Sequence, residues 1–93
     1  MFYTYILLCK DNIRNRVEFY IGSTEDLKNR YREHQVGEVK TTKSFNKVML
    51  VYYEACLSKA DARKRELQLK TGFGRGYIKK RLESYLKEFN PRD

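Results

Sequence analysis

Proline is nearly absent from these 93 residues. The single Pro91 stands near the carboxyl end, where it marks the close of a last helix. Repeats and linker-like stretches are also missing, and the chain is expected to form one domain over residues 1–93. Cysteine is scarce. Cys9 and Cys56 sit in apolar runs without CxxC or CxxH spacing, so neither a disulfide framework nor a zinc site is indicated. Both read as small core hydrophobes in a reducing cytosol, which places the protein in the cytoplasm. Long hydrophobic runs are lacking too. The opening MFYTYILLC has no basic leader and is too short to be a signal peptide or a membrane span, so no membrane association is expected. Acidic residues are outnumbered, twelve against twenty Lys and Arg, for a net charge of +8.

What is present is enough for a compact fold. Hydrophobic residues make up 41% of the chain, and eight tyrosines and five phenylalanines bury large areas with few residues. The positive excess is uneven. Residues 59–81 hold nine basic side chains and only two acidic ones, Asp61 and Glu66. A basic run is often only a solvated helix face. Here nearly all the excess sits in one quarter of the chain, which points to a phosphate-binding surface and hence to nucleic acid.

Tyr3 to Cys9 is apolar on both faces and reads as a central strand, ended by Lys10-Asp11-Asn12. A hairpin leads to a second strand, Val17 to Ile21. Ser23-Thr24-Glu25-Asp26 opens a helix that runs to Gln35, with Gly37 as its carboxyl-terminal cap. Residues 38–47 read as a loop, and Val48 to Tyr53 as a third strand. Ser58 with Asp61 caps a second helix through Lys70. The three glycines of residues 71–76 are expected to break that helix, and Tyr77 to Phe89 to form the last one, with Ile78, Leu82, Tyr85, Leu86 and Phe89 on one face. The expected fold is α+β: a small antiparallel three-stranded sheet flanked by helices, in the order ββαβαα.

Three features depart from ordinary patterning. Leu27, Arg30, Tyr31 and His34 share a helical stripe, so Arg30 and His34 face the protein body or a cleft edge. Arg30 is then a structural arginine paired to a carboxylate, a side chain laid along the core with its head in water, or a group awaiting an anion. Glu66 lies between Ala62 and Leu69 on the face that should seat its helix. An uncompensated buried carboxylate is costly, so an arginine such as Arg30, a tyrosine hydroxyl or a metal must meet it. Tyr3 and Tyr5 share a face of the first strand and Tyr20 sits on the second; on patterning alone all three read as core residues.

Tyr3-Thr4-Tyr5, then Tyr20-Ile21-Gly22-Ser23-Thr24, then Asp26-Leu27, Arg30-Tyr31, His34 and finally Glu66 resemble the motif series of the GIY-YIG nucleases. The series is similar to that of the amino-terminal nuclease domain found in excision-repair endonucleases. It spans about residues 3–70. It departs from the family at Tyr3-Thr4, where Gly-Ile is usual, and in having no late asparagine other than Asn90. The resemblance implies an endonuclease that hydrolyses DNA phosphodiesters, structure- or damage-related, with one Mg²⁺ (or Mn²⁺) on Glu66 and no small-molecule cofactor. By the same resemblance Tyr5 orients or deprotonates the attacking water, Tyr20 assists by hydrogen bonding, Arg30 stabilises the phosphate and His34 moves a proton. Lys64, Lys70, Arg75, Lys79, Lys80 and Arg81 are expected to contact phosphates, and the 72–76 glycine segment to bring backbone amides near DNA or to serve as a plain turn. No DNA-reading module is appended, so binding should be largely sequence-independent, with specificity left to a partner protein. The alternatives are a non-catalytic nucleic-acid-binding module, with Arg30 and Glu66 as a structural ion pair, and a domain whose basic face meets an acidic protein.

Overall fold

The computed structural model describes residues 1–89; Asn90 and Pro91 lie outside the described residues. Strands β1 (Phe2–Asp11), β2 (Arg16–Thr24) and β3 (Lys47–Cys56) form one antiparallel sheet in the order β2-β1-β3. The strand without a polar face takes the middle: every residue of β1 from Thr4 to Asp11 is buried. At the hairpin, the Asp11 carboxylate accepts the amide protons of Ile13 and Arg14 and pairs with the Arg14 and Arg16 guanidinium groups. That local bonding turns the chain, with Asn15 at a φ of 55°.

Helix α1 (Leu27–Gln35) starts at Asp26, whose side chain accepts from the Asn29 amide, and Gly37 follows its end at a φ of +79°. Helix α2 (Lys59–Leu69) is capped by the Ser58 hydroxyl on the Asp61 amide. The fold is α+β, in the expected order of strands and helices, with the sheet between two helical layers. Alternation along the strands divides the core. Tyr5, Leu7 and Cys9 pack with Leu27 and Tyr31 of α1, while Ile6 and Ile21 pack on the other face with Leu69 and Ile78.

The glycine-rich segment corrects the sequence reading. It is neither a loop nor a turn but the start of α3 (Gly72–Arg81), capped by the Thr71 hydroxyl on the Gly74 amide. The break after α2 is confined to Lys70 and Thr71. Gly74 has a packing reason to be there: a Cβ would stand 2.0 Å from the carbonyl oxygen of Leu69, so only glycine lets α3 fold back this tightly. The last helical stretch is also divided, at Leu82, into the end of α3 and a short α4 (Glu83–Glu88).

Candidate active site

Opposed residues in β1 and β2 share a face, and the register sets Tyr5 across from Gly22 and Leu7 across from Tyr20. Both tyrosines therefore point toward α1. The missing side chain at Gly22 makes the room: a Cβ there would lie 2.5 Å from the Tyr5 hydroxyl. Helix α1 delivers His34, whose Nε2 is 2.9 Å from that hydroxyl, and Arg30, whose guanidinium charge bears on the Tyr5 phenol. Arg30 also holds Glu33 at 3.1 Å. On the far side of the imidazole, Nδ1 lies 2.8 Å from the Thr42 hydroxyl. Tyr20 closes the cluster, its ring 4.8 Å from that of His34. Tyr5, His34 and Thr42 are each only 1% exposed, while Tyr20 and Arg30 form a half-buried outer layer.

Burial sets the protonation of this cluster. It pushes the Tyr5 phenol up to about 12 against the pull of Arg30. It pushes His34 down to about 4, helped by the neighbouring Arg30 charge. The phenolic proton of Tyr5 is assigned to Nε2 of the neutral imidazole, which turns the phenol oxygen's lone pairs toward the Arg30 charge. Nδ1–H then donates to Thr42. The result is a directed chain, Tyr5 to His34 to Thr42, with the Arg30 charge beside its first member.

Glu66 lies on the opposite face of the sheet. It is 5% exposed, flanked by the buried Ala62 and Leu69 as its helical stripe requires. Its partner is not Arg30. Oε1 accepts from the Ser23 hydroxyl at 2.6 Å, and Oε2 holds Lys70 at 2.7 Å and Arg63 at 2.8 Å. Burial would raise its pKa, but the bonds from Lys70, Ser23 and Arg63 outweigh it and hold the carboxyl below its ordinary value. Helical spacing explains the substitution of partners: Arg63 and Lys70 stand three and four residues away on the same helix, whereas Arg30 is across the sheet.

Ser23 follows Gly22 directly in β2, so the two clusters sit back to back across one strand. That strand is an edge of the sheet, and an open groove of about 550 Å³ runs along it. Tyr20 of the first cluster lines the groove on one side; Lys70, which holds Glu66, and Arg75 line it on the other. The structure thus gathers Tyr5, Tyr20, Arg30 and His34 on one face of the sheet and leaves Glu66 on the other, with only its partner Lys70 reaching the groove that Tyr20 lines. Lys64, Lys79, Lys80 and Arg81 are exposed on α2 and α3. Sequence reasoning missed Thr42, Ser23 and Arg63. Thr42 lay in a polar stretch without pattern, and Ser23 was read only as part of a helix start.

The described residues contain no group of three or more His, Cys, Asp or Glu side chains able to share a metal. A single ionised carboxylate still suits Mg²⁺, which takes hard oxygen ligands and completes its shell with waters and substrate phosphate. The donor chemistry of Glu66 fits that requirement, and the half-exposed Lys70 and Arg63 side chains cover it from the solvent side.

Tyrosines on paired strands, an arginine and a histidine one helical turn apart, and a late helical glutamate define a small α+β domain of the nuclease type. The chain belongs to the GIY-YIG catalytic domain family, whose model matches residues 1–81. It is 40% identical over 70 residues to a UPF0213 protein of Staphylococcus haemolyticus, covering 74% of this chain and 79% of the relative. A UPF0213 protein of Staphylococcus saprophyticus is 39% identical over the same shares of the two chains. One of Haloquadratum walsbyi is 36% identical, over 74% of this chain and 73% of the relative. No solved structure matches the chain.

Proposed function

We propose that this protein is a divalent-metal-dependent endonuclease that hydrolyses DNA phosphodiester bonds, working in the cytoplasm where Cys9 and Cys56 stay reduced. One observation carries the reading. The buried Tyr5 hydroxyl is bound to a neutral His34 beside the Arg30 guanidinium, and an ionised Glu66 stands behind this group on the other face of β2, held by Ser23.

Tyr20 meets the attacking water in the groove, and Tyr5 lies behind it, with the two ring centroids 6.2 Å apart. As the water oxygen attacks phosphorus and the bond from phosphorus to the leaving oxygen breaks, the water proton passes to the Tyr20 oxygen. The Tyr20 proton passes to Tyr5, and that of Tyr5 to Nε2 of His34. A proton on His34 is disfavoured beside Arg30 while the site rests. The negative charge that builds on the phosphate offsets this, because Arg30 faces it in the transition state. A Mg²⁺ or Mn²⁺ on Glu66 would supply Lewis-acid polarisation of the phosphate and stabilise the leaving oxygen. Lys64, Lys70, Arg75, Lys79, Lys80 and Arg81 supply sequence-independent attraction to the backbone, and a partner protein directs the enzyme to its sites.

A second reading, a nucleic-acid-binding module without catalysis, is favoured by the two cations already seated on Oε2 of Glu66. One experiment separates them. Wild type and Glu66→Ala are incubated with a panel of DNA forms and each divalent metal. The nuclease reading expects metal-dependent cutting by wild type only, with binding retained in both. If wild type cuts nothing, the binding module is correct.

A further inference from the structure

Helix α3 carries an exposed aromatic pair that the proposed chemistry does not use. Phe73 is 62% exposed, unusual for the largest apolar side chain on a helix. Its ring stacks on Tyr77, one turn on, with centroids 6.3 Å apart and planes at 30°. Tyr77 is in turn held by the Arg65 guanidinium, 4.7 Å from its ring centroid, and by the Tyr52 hydroxyl. Lys80 and Arg81 continue the same stripe and border a hollow of about 260 Å³ beside Tyr77. The helix has four cationic residues and no acidic one. A rigid aromatic pair, braced from below and flanked by cations, suits a flat anionic partner.

The glycines add an independent observation. Gly74 is required by its contact with Leu69, but a Cβ at Gly72 or Gly76 would meet nothing within 4 Å. Glycine inside a helix is destabilising relative to alanine, and no packing among the described residues compensates it at Gly76. Gly72 and Gly76 adjoin Phe73 along the helix and leave the backbone beside its ring bare. Bare backbone next to an exposed ring admits close approach by another molecule.

We propose that Phe73 is a stacking platform for an unpaired DNA base, with Lys80 and Arg81 on the adjoining phosphates. The substrate is then DNA with a single-stranded stretch, because bases in an intact duplex are not free to stack on a side chain. This rests on the reading of DNA as substrate and specifies its form.

The test measures binding without divalent metal, so that cleavage plays no part. A twelve-residue oligothymidine and an abasic strand of equal length present the same phosphates with and without bases. Wild type is expected to prefer oligothymidine by about fivefold or more, the scale of one base–aromatic stack. Phe73→Leu should abolish that preference while leaving abasic binding unchanged, and Phe73→Trp should restore it. Gly76→Leu, which the open space accommodates, should weaken oligothymidine binding through crowding of the ring. Equal affinity of wild type for the two strands overturns the proposal, as does a preference that survives in Phe73→Leu. Failure of the nuclease reading looks different: no strand is cut under any metal while the base preference stands.

Discussion

Gly22 and Tyr5 face one another across β1 and β2, and the tyrosine hydroxyl fills the space that a side chain at Gly22 would take. The glycine after the second tyrosine is therefore a packing partner of the first. Replacing Gly22 with Ala should cost about 1–3 kcal/mol, as overpacking of a close-fitted interior does. It should also pull the Tyr5 hydroxyl away from His34 and Arg30 and lower any cleavage activity. Denaturant unfolding together with a cleavage assay checks both effects; unaltered stability would show that Tyr5 shifts freely.

Acid should weaken the fold through His34, the single histidine of the chain. Its folded pKa is about 4 against 6.5 in the unfolded chain. Between these values the unfolded state binds more protons, so stability rises with pH and falls as pH drops from 6.5 toward 4. The full effect is on the order of 3 kcal/mol. His34→Gln should show a flatter profile across that window in pH-dependent unfolding. The carboxylates contribute equally to both proteins, so parallel profiles would mean that His34 does not resist protonation.

Replacing Lys79, Lys80 and Arg81 together with Ala should weaken DNA binding similarly for all sequences. Each lost phosphate contact should reduce the log–log salt slope on duplex DNA by about 0.9. Titrations at several salt concentrations decide the matter, and an unchanged slope would make this stretch only a solvated helix surface.

The α3 glycines should respond to substitution in opposite directions. Gly74→Ala drives a methyl group into the Leu69 carbonyl and should destabilise by at least about 1–3 kcal/mol. Gly76→Ala meets open space and should stabilise by about 0.5–1 kcal/mol. Thermal or denaturant unfolding of the two variants tests this; equal responses would mean that α3 does not pack as described.

The α+β order, the central place of β1, the cap at Ser58 and the buried faces of Glu66 and His34 were all legible in the sequence. Each depends on local periodicity or on hydrogen bonds that span three or four residues, and such interactions are written in adjacent residue types. The glycine segment at 72–76 misled because glycine lowers helix propensity everywhere, while its contact with Leu69 exists only after α3 folds back on α2. Partner choice was equally hidden. A buried Glu66 requires compensation, and the sequence states that need, but Ser23 reaches it from a strand forty-three positions away. Thr42 meets His34 for the same reason, from a loop with no pattern of its own. Desolvation of a polar group demands a partner wherever it occurs; which atom answers depends on the packing of strands and helices, and that was decided by the tertiary fold alone.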